Sequence, residues 1–190
     1  FFRAGESLSM TKLLDYVLVK YSNDGAAAIA SSINKKNGDK SFVQKMNQTA
    51  RQIGMNSTFF LNETGLDQNA QTAGSFGTSR DIATMMEFIF ENYPEVLDAT
   101  KNLSVQAVSD NGILHEATNT NDIIPELNNL LASKTGFTDL AGGNLTVIVD
   151  PALNKPVVIV VLGSTFEGRF NDVLKLSNSL AEYFEYKDKN

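Results

Sequence analysis

The residues best suited to chemistry gather at Lys134-Thr135-Gly136, within the stretch Leu131-Ala-Ser-Lys-Thr-Gly-Phe-Thr-Asp139. A cation, a hydroxyl and a glycine in succession on a strand edge can hold a carboxylate, orient the proton of a nucleophile and let a peptide backbone approach closely. Two β-branched apolar runs just downstream, Leu145 to Val149 and Val157 to Leu162, would supply the sheet that carries such an edge. Other chemistries have less to work with. Cysteine is absent, which removes disulfides, thiol nucleophiles and thiolate metal sites. His115 is the one histidine and has no second ligand at metal-binding spacing, so neither a metal nor another cofactor is expected.

A chain of 190 residues with 42% hydrophobic content can bury one substantial core, and residues 1–190 read as a single domain. With 16 basic against 22 acidic residues the net charge is −6, and no basic block tracks a phosphate backbone, so nucleic acid is excluded as a partner. The longest apolar run, Pro156 to Leu162, is too short to cross a bilayer, and no charged-then-apolar leader precedes Phe1. Any export signal or membrane attachment is therefore expected in parts outside these residues.

Helical spacing of Leu13, Leu14, Val17 and Leu18 predicts a helix over 9–20, capped by Ser9 and ended by the turn Tyr21-Ser-Asn-Asp-Gly25. A second helix is expected from Ala26 to Ile33, broken at Asn37-Gly38. Ser41 then caps a third, with Phe42, Met46, Ala50 and Ile53 on one face and Gly54 as its stop. The stretch from Asn56 to Gly77 reads as loop. Thr78-Ser-Arg-Asp81 opens a helix whose apolar face is Ile82, Met85, Met86, Ile89 and Phe90, ending at Pro94. From Leu103 the period shifts toward two, giving a hairpin with its turn at Asp110-Asn-Gly112, and then the two apolar strands already noted. A last helix over 167–186, with Phe170, Val173, Leu174, Leu176, Leu180 and Phe184 on one side, should lie across that sheet. The expected architecture is α/β (α+β): a helical cluster beside an antiparallel sheet covered by helices.

Taken in order, the chain shows Tyr21-Ser-Asn-Asp24, Met46-Asn47, Ile53-Gly-Met-Asn-Ser-Thr-Phe59, Thr64-Gly-Leu-Asp67, Thr78-Ser-Arg-Asp81, Asn119-Thr-Asn121, Lys134-Thr-Gly136 and Val161-Leu-Gly163. This succession resembles the D-alanyl-D-alanine carboxypeptidases of peptidase family S11, the low-molecular-mass penicillin-binding proteins, from Gly5 to about Phe184. The resemblance implies the serine β-lactamase/DD-peptidase (transpeptidase-like) fold. It also implies removal of the terminal D-alanine from peptidoglycan pentapeptides through an acyl-enzyme, acylation by β-lactams, and an extracytoplasmic site of action.

Residue by residue, the resemblance implies that Lys134 supplies charge and a proton path, that Thr135 binds the substrate carboxylate and that Gly136 admits the peptide. The N–H of Phe137 would be one oxyanion donor. Asn23 would meet the substrate's acyl amide. Arg80 and Arg169 would reinforce the carboxylate pocket, or else pair with Asp81 and Asp172 as structural ion pairs. Two departures from the family stand out. Tyr21 occupies the place of a serine, as in class C β-lactamases, where a phenol can shuttle the nucleophile's proton. Ser9-Met-Thr-Lys12 matches the family's S-x-x-K motif only by coincidence of spacing, so the nucleophilic serine is expected upstream of this chain and the chain alone is expected to be inactive. A complementing N-terminal segment or self-association should then cover an apolar face and a strand edge beside Val157 to Leu162. A catalytically inactive relative that binds peptidoglycan or a partner, and a β-lactamase, are the alternative readings.

Overall fold

The computed structural model describes residues 2–3, 5–36 and 41–189. Helix α1 (Met10–Lys20) opens on Ser9, whose hydroxyl accepts the Lys12 N–H, and closes on Tyr21 in a left-handed conformation with φ +62°. Its most buried side chains are Tyr16 and Val19; Leu13, Leu14, Val17 and Leu18 are half-buried, so the inner face is turned from the expected one.

Helix α2 (Asn23–Lys36) begins earlier than expected. The Ser22 hydroxyl accepts the Gly25 N–H at 3.1 Å and the Ser22 carbonyl accepts the Ala26 N–H at 3.0 Å, which draws Asn23 to Gly25 out of the predicted turn and into the first helical turn. A Cβ on Gly25 would lie 2.3 Å from Val17 Cγ2, so glycine is what lets the two helices meet. The Asn37-Gly38 break lies outside the described residues. Helix α3 (Phe42–Gln52) starts after Ser41, which gives it no side-chain cap, and Gly54 follows at φ +93°.

The expected loop contains a two-stranded sheet, β1 (Phe59–Phe60) paired with β2 (Ser75–Phe76). Strands of two residues leave no readable period. Helix α4 (Ser79–Asn92) is capped by the Thr78 hydroxyl, which accepts the Asp81 N–H. Two short 3₁₀ turns follow at Pro94–Val96 and Asp98–Lys101. The hairpin β3 (Ser104–Val108) and β4 (Leu114–Thr118) comes next. The main sheet is antiparallel in the order β5 (Leu130–Thr138), β6 (Gly142–Val149), β7 (Val157–Ser164), and α5 (Gly168–Lys189) closes the chain.

Alternation along β6 explains its near-continuous burial. Leu145, Val147 and Val149 face Phe170 and Val173 of α5, while Ile148 faces Met86 of α4 and Leu97 on the other side. The sheet is thus a middle layer between two helices. The outer edge of β7 pairs with no strand among the described residues, and of its apolar side chains only Ile159 is buried. No described helix is long and apolar enough to cross a membrane.

Candidate active site

Strand β5 presents Lys134 to Phe137 on the free edge of the sheet. The Thr135 hydroxyl is buried and hydrogen-bonded to that of Thr120, in Asn119-Thr-Asn121. That tripeptide is tied down in turn: Asn119 Nδ2 donates to the carbonyls of Thr100 at 3.0 Å and Asn102 at 2.9 Å. Thr120 was not legible as a site residue, because a loop hydroxyl meeting a strand hydroxyl leaves no trace in spacing.

Lys134 Nζ donates to the Thr135 carbonyl at 2.9 Å and lies 4.4 Å from the centroid of the Tyr21 ring. Burial pushes its pKa down from 10.5 to about 8, and the neighbouring Arg169 guanidinium adds to the shift. Arg169 stands at the start of α5, 4% exposed, with its guanidinium carbon 4.3 Å from the Phe166 ring centroid and 4.6 Å from that of Phe170. Its Nη1 donates to the Gly136 carbonyl at 2.9 Å, and its Nε is buried without a partner. Burial lowers the Arg169 pKa, against an upward pull from Asp122, Glu167 and Tyr21.

The expected ion pairs of the two arginines do not form. Asp172 instead accepts from the Ser164 hydroxyl at 2.8 Å, and the Asp81 carboxylate accepts from the Ser57 N–H at 2.8 Å and the Thr58 hydroxyl at 2.7 Å. Each carboxylate has nearer donors that fix a loop. Arg80 itself is exposed on α4 and lines none of the three cavities that share Gly136.

Those cavities surround the strand edge. One of about 400 Å³ is lined by Tyr21, Thr120, Asp122, Thr135, Gly136 and Arg169 among others. A second, of about 550 Å³, runs past Tyr21, Thr58, Gly136 and Phe137. A third, of about 250 Å³, is apolar, with Leu18, Met85, Ile89 and Leu97 leading to Lys134. Asn23 lines an adjoining space of about 300 Å³ together with Lys20 and Tyr21. Gly136 is not required by the protein's own packing: a Cβ there would meet nothing closer than Asn144 Cβ at 3.6 Å, and its φ is not positive. A Cβ there would make only ordinary contact with the Asn144 side chain, and Gly136 lines all three cavities.

Asp67 holds the far end of β5. Its carboxylate accepts from the Thr138 hydroxyl at 2.9 Å and the Leu140 N–H at 3.1 Å, which gives the Thr64-Gly-Leu-Asp67 motif a positioning task that sequence reasoning did not assign. Ser9 and Lys12 are exposed, and neither lines a cavity that shares Gly136. His115 pairs with Glu6, Nε2 to Oε2 at 2.6 Å, in a buried contact away from Lys134.

The family model of the D-alanyl-D-alanine carboxypeptidases, peptidase family S11, matches residues 1–165. The D-alanyl-D-alanine carboxypeptidase DacF of Bacillus subtilis is 25% identical over 97% of this chain and 46% of its own length. The D-alanyl-D-alanine endopeptidase of Escherichia coli is 30% identical over 84% of this chain and 49% of its own. Among solved structures, penicillin-binding protein D2 of Listeria monocytogenes in its ampicillin-bound form superposes with a TM-score of 0.76 at 30% identity, covering 89% of this chain and 66% of that one. The chain spans about half the length of the curated relatives it matches.

Proposed function

The chain belongs to peptidase family S11, the D-alanyl-D-alanine carboxypeptidases, and from that premise we propose that the whole protein is a serine-type D-Ala-D-Ala carboxypeptidase acting on peptidoglycan stem peptides. Its fold is the β-lactamase-like fold of the serine DD-peptidases, mixed helix and sheet. The observation that carries the reading is the convergence of the Lys134 ammonium, the Thr135 hydroxyl and the Arg169 guanidinium around Gly136 on an open strand edge.

In this reading the terminal carboxylate of the peptide accepts from the Thr135 hydroxyl and faces the charges of Lys134 and Arg169. The peptide lies along β5 where Gly136 leaves room. Residues two apart on a strand turn their main-chain groups to the same edge, so the Phe137 N–H shares the side on which Lys134 reaches the Thr135 carbonyl, where an oxyanion would form. Asn23, which shares a cavity with Tyr21, meets the acyl amide in this reading. A serine hydroxyl attacks the penultimate D-alanine carbonyl, the amide C–N bond breaks, D-alanine leaves with a proton, and water then hydrolyses the ester. Ser9, exposed and lining no cavity that shares Gly136, is not assigned this role.

With a pKa of about 8, Lys134 sits near enough to neutrality to pass a proton. Arg80 takes no part. β-Lactams acylate the same serine, a reading supported by the ampicillin- and cefotaxime-bound forms of the Listeria relative. Peptidoglycan as substrate places the action outside the cytoplasm.

The test uses the full-length protein with a fluorescent penicillin and a D-Ala-D-Ala peptide. Lys134→Ala should lower acylation by about 10²-fold, the scale of losing one preorganised electrostatic partner. The wild type should lose affinity for the anionic peptide as pH rises through about 8, because the lysine is cationic only below that value. An unchanged acylation rate in the variant refutes the assignment.

A further inference from the structure

The contact between Lys134 and Tyr21 is made with the face of the ring. The ammonium lies 4.4 Å from the ring centroid, while its hydrogen bond goes to the Thr135 carbonyl. We propose that Tyr21 is a positioning residue whose aromatic face, rather than its phenolic oxygen, holds the Lys134 ammonium against the edge of β5. Its consequence for catalysis rests on the carboxypeptidase reading, but the contact itself does not.

Three observations carry it. Lys134 is in an electrostatically poor place: it is desolvated, Arg169 is a like charge beside it, and among the described residues no carboxylate stands within ion-pair distance. A π face within about 6 Å of a desolvated cation is the compensating partner that remains. The backbone that carries the ring is also held on both sides. Tyr21 sits at φ +62°, its N–H donates to the Val17 carbonyl at 3.1 Å, and the next residue caps α2. A bulky side chain in the left-handed region is retained only where its surroundings demand it. Finally, Tyr21 lines both larger cavities beside Gly136 as well as the one that holds Asn23, so it stands where the site's spaces meet. The serine expected at this position could offer Lys134 a hydroxyl but no such surface.

The experiment is an NMR titration of the Lys134 ε-methylene in the full-length protein and in its Tyr21→Phe and Tyr21→Leu variants. Tyr21→Phe should keep both the wild-type midpoint near 8 and the ring-current displacement of the ε-protons. Tyr21→Leu retains apolar bulk without a π face, and should abolish the displacement and lower the midpoint by about one pH unit. If Tyr21→Phe behaves like Tyr21→Leu, the phenolic oxygen holds the lysine and the proposal fails. It fails equally if Tyr21→Leu matches the wild type. Neither readout needs substrate, so a failure of the carboxypeptidase reading in acylation assays would leave this result standing on its own.

Discussion

Two glycines of one hairpin, Gly136 and Gly143, differ in what a side chain would meet. At Gly143 a Cβ would lie 2.1 Å from the Thr165 carbonyl oxygen and 2.7 Å from its carbon, so Gly143→Ala must push β6 away from the segment leading into α5. Such overpacking against main chain costs about 1–3 kcal/mol, and the thermal midpoint of this chain should fall accordingly. Gly136→Ala meets only ordinary contact and should melt within about 1 kcal/mol of the wild type. Its effect should appear instead in the whole protein as slow acylation, because the methyl stands where the peptide would lie. Wild-type acylation by Gly136→Ala would remove the strand edge from the proposed mechanism. The sequence made Lys134, Thr135 and Gly136 conspicuous as chemistry, but it could not distinguish a glycine that packing leaves free from one that packing requires. That difference lies in neighbours contributed by distant residues.

At the scale of elements, periodicity was a good guide wherever one helix or strand met one layer. The helices α1, α3, α4 and α5, the β3–β4 hairpin and the β6–β7 pair all stand close to where apolar spacing and turn residues put them. It failed where a cap competed with a turn: Ser22-Asn-Asp-Gly25 has turn composition, yet the Ser22 hydroxyl and the close approach of Val17 make it a helix start. It failed again across 56–77, where order comes from side chains bonding to backbone, as when Asn62 Oδ1 accepts from the N–H groups of Thr64 and Gly65 at 3.1 Å and 2.7 Å. The same loop reaches the site through Asp67. Asp67→Ala should release the turn after β5, destabilise the chain by about 1–3 kcal/mol and speed amide exchange at Leu140 while leaving β6 and β7 protected. Unchanged exchange at Leu140 would show that the turn holds itself.

For the molecule as a whole, a sheet covered by the last helix was readable from the apolar strands and the one-sided helix over 167–186, whereas the packing of α4 on the sheet's other face comes from the structure. The meeting of Tyr21 with Lys134 was not readable either, since it depends on how the helical cluster docks against the sheet. That separation carries over into time. Strands β5, β6, β7 and helix α5 are sequential neighbours joined by short connections, whereas Tyr21 and Lys134 lie most of the chain apart. Closing long loops costs entropy before any contact rewards it, and local pairings form first. In refolding, amides of β6 and β7 should gain protection in pulsed hydrogen exchange before the Lys134 ε-protons show the ring-current displacement caused by Tyr21. The edge of β5 would then exist as a shelf before it becomes the proposed site, and the meeting of Tyr21 with Lys134 would be among the last things this sequence assembles and the first it gives up.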